Sequence, residues 1–234
     1  MRSISATATL IALVAAVAGG ASAQGKSFEG TVTFESSGGR GESGGFAYSI
    51  KGSRVRFEPQ GGRMPMYMLM DMEAHTMRVV MTAQNAYMEM ELPDAGDASA
   101  GASADASADA SAAASKNEPV NTGRTDEVAG RTCEIWTMAE DGKEFEMCLA
   151  RDMGTFMQGG GPMMGRGRAA PPAWQRELRK GGFFPLRVAE KTGGTAKTVL
   201  VATKVEEKKL DDALFDVPAG ANKMSMPPGM GRRP

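Results

Sequence analysis

Between residues 64 and 72 the sequence reads MPMYMLMDM, with a methionine at every second position. No other feature constrains the fold of this chain as strongly. Successive side chains of a β-strand point to opposite faces, so Met64, Met66, Met68, Met70 and Met72 would share one face and Tyr67 and Leu69 the other. Wound at about 3.6 residues per turn, the same methionines would scatter around a helix. The segment is therefore predicted to be a strand. Both of its faces carry large apolar side chains, which places it centrally in a sheet, with Pro65 tolerated only at its start. Met77 and Met81 in TMRVVM, then Met88 and Met90 in AYMEMEL, repeat the pattern across the short polar turns MEAH and TAQN. Three strands in a meander, with one face paved by methionine, follow from that spacing.

The remaining periodicity is also mostly that of strands. SFEGTVTFES (27–36) alternates Phe28, Val32 and Phe34 with polar residues, with Gly30 in the same phase, and GFAYSIKGSRVRFEP (45–59) reads as two strands broken at Lys51-Gly52-Ser53. TCEIWTM and KEFEMCL flank the turn AEDG, and FFPLRVAEK and AKTVLVATKVEEKKL flank TGGT, as two hairpins. Helices are few. PPAWQRELRKGG (171–182) has prolines suited to a first turn, Trp174 and Leu178 on one face, Arg179 and Lys180 in the last turn and Gly181 as a stop. LARDMGTFM (149–157) would place Leu149, Met153, Phe156 and Met157 on one side of a shorter helix, which Gly154 weakens. The predicted class is α+β: a curved antiparallel sheet with a few short helices covering its concave face.

Compartment narrows the chemistry. The chain opens MRSISATATLIALVAAVAGGASAQ, in which Arg2, the apolar run Leu10 to Ala18 and the small residues Ala21-Ser22-Ala23 have the form of a signal peptide (1–23) cleaved near Ala23. The first cysteine is Cys133, so the apolar run is not followed by a lipid-acceptor cysteine, and nothing later approaches the roughly 18 apolar residues of a membrane span. The expectation is a periplasmic or secreted protein without stable membrane insertion. Residues 94–118 (DAGDASAGASADASADASAAASKNE) offer no large apolar side chain, and 158–173 and the tail 222–234 are similarly poor in packing residues. Setting these aside with the signal peptide leaves 157 of 234 residues, which suits a single domain over 24–221 with two excursions. A net charge of −1 argues against a nucleic-acid partner.

Several motifs mimic catalytic sites. Gly39, Gly41 and Gly44 fit G-x-G-x-x-G, and Gly41-Glu42-Ser43-Gly44-Gly45 fits G-x-S-x-G. Both motifs require a helix next, whereas FAYSI follows with the period of a strand, so the segment is read as a hairpin turn. The single histidine, His75, lies in a turn and precedes any acid partner in the wrong order for an α/β-hydrolase. Asp211-Asp212, Glu206-Glu207 and Asp71 with Glu73 read as solvated strand ends or caps. Two cysteines and one distant histidine cannot complete a zinc site. No catalytic residue, metal ligand set or cofactor is predicted. Cys133 and Cys148 have a simpler use. A four-residue loop at 139–142 sets them directly opposite one another, in reach of a disulfide, whereas a loop of Asp141-Gly142 alone would offset them by two.

The segments YSIKGSRVRFE, YMLMDMEAHTMRVVMTAQNAYMEM, VAGRTCEIWTM, GGFFPLRV and ATKVEEKKLDDALFDVPAGANKM, in this order, resemble the bacterial domain-of-unknown-function 4412 family over most of the chain outside the insertions. That resemblance implies an envelope protein of lipoprotein-carrier (LolA-like) architecture, a half-open barrel plugged by short helices, which holds an apolar ligand; it transfers no catalytic residues. The methionine face then has three readings. It is a plain core filled by flexible thioethers, a plastic lining for a lipid acyl chain or an apolar protein segment, or a site for cuprous or silver ion. The binding expectation rests on Met66, Met68, Met70, Met77, Met81, Met88 and Met90 with Trp174. The competing class is a structural or stress-related envelope protein with a filled core.

Overall fold

The computed structural model describes residues 28–37, 43–61, 65–92, 119–140, 142–154, 156, 178 and 182–225. Tight turns between alternating segments leave the chain little choice but to run back and forth. The first six strands are β1 (Glu29–Ser37), β2 (Ser43–Lys51), β3 (Arg54–Pro59), β4 (Met66–Asp71), β5 (Thr76–Met81) and β6 (Ala86–Glu91). After the 94–118 segment come β7 (Val120–Val128), β8 (Arg131–Glu140), β9 (Lys143–Ala150), β10 (Phe184–Thr192), β11 (Thr195–Glu207) and β12 (Asn222–Lys223). All twelve join one sheet in the order β12-β6-β5-β4-β3-β2-β1-β11-β10-β9-β8-β7. Neighbours are antiparallel except β12, which runs parallel to β6, so the sheet is mixed, and it is open, with β12 and β7 as its edges.

The two halves of the sheet differ in regularity. From β1 through β6 every pairing keeps a constant register. In the other half the register shifts in β1/β11, β10/β11, β9/β10 and β7/β8. Such bulges bend strands and increase local twist. The curl they produce is large. β7 and β11 are four strand spacings apart, about 19 Å in a flat sheet, yet their Cα atoms come within 8 Å. Tyr48 on β2 and Phe184 on β10 are three spacings apart, about 14 Å when flat, yet their ring centroids lie 5.7 Å apart.

Curling solves the burial problem of a one-sided sheet. Phe34, Phe46, Tyr48, Phe156 and Phe184 converge on the concave side, with Phe34 4.9 Å from Phe46 and Phe156 5.4 Å from both Tyr48 and Phe184. The α+β expectation is overturned: the described residues are nearly all β, with helical geometry limited to 3-10 turns at Thr82–Gln84 and Asp212–Phe215 and to Leu178. The shorter predicted helix does not form. Leu149 and Ala150 belong to β9, and Asp152 (φ 62°) and Gly154 (φ 81°) enter the left-handed region, which a helix cannot continue through. The apolar residues that suggested it are nonetheless core: Leu149, Met153 and Phe156 are all buried. Of the helix expected over 171–182, Leu178, buried in the core, and Gly182 are described, while Trp174 lies outside the described residues. The signal peptide expected over 1–23 and the segments 94–118 and 158–173 also lie outside them.

Cys133 and Cys148 are joined, but not through the directly opposed register. Glu140 pairs with Lys143, which is not the register of a four-residue loop; Gly142 is at φ 74°, and Ile135 rather than Cys133 faces Cys148. The bond is diagonal, and a Cα separation of 5.3 Å accommodates it. Strands β7 and β12 have no clear signal in the sequence. β7 is exposed along nearly its whole length, and an edge strand wetted on both sides shows no alternation. Asn222 and Lys223, placed by sequence in the tail, pair with Ala86 and Tyr87.

Gly30 breaks the apolar phase of β1 for a steric reason: a Cβ there would lie 2.1 Å from the Glu206 carbonyl oxygen on β11. Gly30→Ala is expected to lower stability by about 1–3 kcal/mol, a typical cost of overpacking, in urea denaturation. Gly44→Ala, where nothing lies within 4 Å, should stay within about 0.5 kcal/mol of the parent. Reducing the Cys133–Cys148 bond, which spans 15 residues, should cost about 3 kcal/mol by chain entropy, read as a lower urea midpoint in the presence of reductant.

Candidate functional site

Register places seven of the predicted site residues on one surface. Met66 lies opposite Met81, Met68 opposite Val79 and through it Met88, and Met70 opposite Met77 and through it Met90. Val55 and Phe57 on β3 extend the same face towards the aromatic core. The strip is graded in exposure. Met68, Met70, Met77 and Met88 are 9 %, 3 %, 6 % and 6 % exposed, whereas Met66, Met81 and Met90 are half-buried, as is Met72 just beyond β4. Thioethers therefore line the regular half of the sheet and aromatic rings fill the middle. A methionine side chain has three rotatable bonds and a polarisable sulfur, so this lining adapts its shape more readily than the ring cluster does. Met64 and Trp174 lie outside the described residues.

The opposite face of the same strands explains why β4 is buried on both sides. Tyr67, Leu69 and Val80 form a small second cluster, against which Tyr87 and Val217 pack. Residues 208–224 cross this face as a strap. Lys51 Nζ donates to the Leu210 carbonyl at 2.8 Å, Arg56 donates to the Leu214 carbonyl at 3.2 Å, and the Arg56 guanidinium sits 3.6 Å from the centre of the Tyr67 ring. Asp211 caps the 3-10 turn by accepting from the Ala213 amide, and Asp212 pairs with Lys51 and Arg54. The strap then joins the sheet: Asn222 N donates to Asn85 O at 2.9 Å and Met224 N to Tyr87 O at 2.8 Å. Lys223 meets Glu89 at 2.6 Å, and Arg78 meets the same carboxylate at 2.7 Å. The basic residues of β3 that hold the strap carried no recognisable motif; their alternation with Val55 and Phe57 is the signal that could have placed them on the back face.

The outer face of β7 to β10 is laced with ion pairs, Arg187 with Asp126 at 2.7 Å and Lys191 and Arg124 with Glu146 at 3.0 and 3.2 Å, while Arg151 pairs at 2.7 Å with Glu134, which stands opposite Leu149 on the other face. Arg187 holds the Asp126 carboxyl, Arg151 the Glu134 carboxyl and Lys191 the Glu146 carboxyl below their ordinary values. A general acid at neutral pH needs the opposite displacement. Asp71 accepts from the amides of Glu73 and Ala74, an ordinary turn, and His75 sits in the same turn at φ 49°. The glycine-rich segment is followed directly by β2, so neither catalytic motif has its helix. Among the described residues, no group of three or more His, Cys, Asp or Glu side chains converges as a metal site. No helix among them is long and apolar enough to cross a membrane.

Residues 28–221 match the family described as a domain of unknown function (DUF4412). No curated protein matches the sequence. Among solved structures, an uncharacterized conserved protein from Thermus thermophilus is similar with a TM-score of 0.46 and 10 % identity, covering 85 % of this chain and 90 % of that one. PNGF-II in a C2 crystal form is similar with a TM-score of 0.41 and 13 % identity over 82 % of this chain, which spans only 30 % of that protein.

The strap has a pH signature. Lys51, with Arg54, lowers the Asp212 pKa below its ordinary 3.8, and Lys223, with Arg78, lowers that of Glu89 below 4.5. Depressed carboxylate values in the folded state mean that their stabilisation is fully present above the ordinary values and is lost as pH falls through the lower, folded ones. Acidification below about pH 4 is therefore expected to reduce hydrogen-exchange protection at Asn222 and Met224 before it reduces protection in β3 to β5. In Asp212→Asn/Glu89→Gln this acid-induced loss should be largely absent.

Proposed function

The chain belongs to the DUF4412 family, and we propose that it is an exported, non-enzymatic protein that binds an apolar ligand, a lipid acyl chain or an apolar protein segment, along its methionine-lined face. The observation that carries this reading is the graded strip: buried thioethers at Met68, Met70, Met77 and Met88, bounded by half-buried Met66 and Met81 at one end and Met90 at the other. Both ends touch solvent, and the side chains between them are the most easily rearranged in the sheet. Burying roughly ten methylenes of an acyl chain yields about 8 kcal/mol gross. Association and ordering costs of about 4 kcal/mol or more leave an affinity of roughly millimolar. The export segment at 1–23 supplies the setting in which such a ligand is met.

A second reading is favoured by burial itself. With Met68, Met70, Met77 and Met88 all below a tenth exposed, the same residues serve as a filled core of a structural envelope protein without ligand.

One substitution set separates these readings from soft-metal binding. Met66, Met68 and Met70 replaced by leucine keep volume and apolarity, so each change should cost under about 1.5 kcal/mol. A fluorescent fatty-acid probe should bind the parent, and the triple variant within about fivefold of it, because the driving force is buried area rather than sulfur. Absence of probe binding to the parent would favour the filled core. Cuprous ion held against a chelator by the parent and lost in the variant would favour the metal reading, since leucine offers no lone pair.

A further inference from the structure

We propose that Met66 and Met81 form a paired oxidation site, and that conversion of their thioethers to sulfoxides switches off apolar binding on this face; the second half of the proposal rests on the binding reading above. Two observations carry it. The first is position: Met66 and Met81 are directly opposite one another on β4 and β5, in the row that ends at Ala86. Opposed residues of antiparallel strands have Cβ atoms about 4.5–5.5 Å apart, so a solute that reaches one sulfur reaches the other. The second is exposure. This pair is half-buried, as are Met72 and Met90 but without a half-buried methionine opposite, whereas the next row inward, Met68 and Met88 flanking Val79, is buried throughout.

A thioether needs no deprotonation to react, so access decides which methionines are attacked. The oxidant class is a two-electron oxygen donor, with hypochlorous acid as the example. A sulfur lone pair attacks its oxygen, the oxygen–chlorine bond breaks, chloride leaves and the proton passes to water. Sulfur is oxidised by two electrons and the chlorine is reduced by two, giving one sulfoxide per oxidant consumed. The new S=O group is a strong acceptor, and Met68, Val79 and Ala86, the neighbouring positions of this face in register, carry no side-chain donor. An apolar ligand lying along the strip would have to cover that acceptor without satisfying it.

The molecule carries its own standards. Met224 is 45 % exposed, while Met138, Met147 and Met153 are buried at 2 %, 0 % and 0 %. Native protein would be treated with graded hypochlorous acid, quenched with free methionine, digested and mapped by mass. We expect Met224 to be modified first and the half-buried Met66, Met81, Met72 and Met90 next, with Met66 and Met81 at least about tenfold faster than Met68, Met70, Met77 and Met88. Affinity for the fatty-acid probe should fall at least about tenfold in step with sulfoxide at Met66 and Met81. In Met66→Leu/Met81→Leu, with folding verified by its melting temperature, the same oxidant dose should change affinity by less than about twofold relative to that variant's own untreated value. Oxidation of Met66 and Met81 no faster than the buried set, or unchanged affinity in protein carrying both sulfoxides, would overturn the proposal, as would equal loss in the leucine variant. Should untreated protein bind no probe, the binding reading alone fails, and the order of oxidation in the same digests still decides whether Met66 and Met81 are the modification site.

Discussion

The ring cluster built on Phe34 is the contact on which the rest of this structure depends. Its members come from β1, β2, β10 and the segment after β9, and they meet only because the sheet is bent. Without extensive helical cover among the described residues, a single sheet can bury one apolar face only by wrapping around it. The bulges in the β1/β11, β10/β11, β9/β10 and β7/β8 ladders provide the bend. Phe28 N donates to the Asp152 carbonyl at 3.1 Å and ties the start of β1 to the turn that brings Met153 and Phe156 into the core. The left-handed residues Asp152 and Gly154 are what make that turn rather than a helix.

The bent half and the regular half divide the physical tasks. Around β7 to β11 the concave side is aromatic and closed, and the outer side carries the Cys133–Cys148 bond beside a lattice of ion pairs. Exposed pairs of this kind contribute little stability each; their larger effect is to keep long strands soluble and unattractive to other sheet edges. In β3 to β6 the ladders stay regular, methionine lines the concave side, and the strap from 208 to 224 covers the back with Val217 against Tyr67, Leu69 and Val80. Charge fixes the strap in place while apolar contact seals it, so acid can weaken one grip without touching the other.

Legibility varies with how local the cause is. The methionine meander is legible down to the seven residues on one face, because period-two alternation is a property of the strand alone. The carboxylates of Asp71 and Asp211 are legible as turn and cap groups for the same reason: their partners lie within three residues. The cystine shows the boundary. Its pairing is legible from the hairpin, but its register is not, because pairing of Glu140 with Lys143, with Gly142 at positive φ, offsets the strands by two from a four-residue loop. Leu149, Met153 and Phe156 have helical spacing and become core residues of a strand end and a bend, since tertiary burial outweighs local propensity.

By itself, the sequence determined most of the strands, which side chains of the methionine meander share a face and which two cysteines could join, since these follow from the alternation of a pleated chain and the conformational limits of Gly and Pro. Only the tertiary structure decided how far the sheet curls, which residues are bulged, that β7 and β12 form its edges and that 208–224 straps the back of β4. Those outcomes depend on residues far apart in sequence: Gly30 must pass the Glu206 carbonyl, Tyr48 must reach Phe184, and Lys51 must find Leu210. Long-range packing has no period that a linear pattern can display.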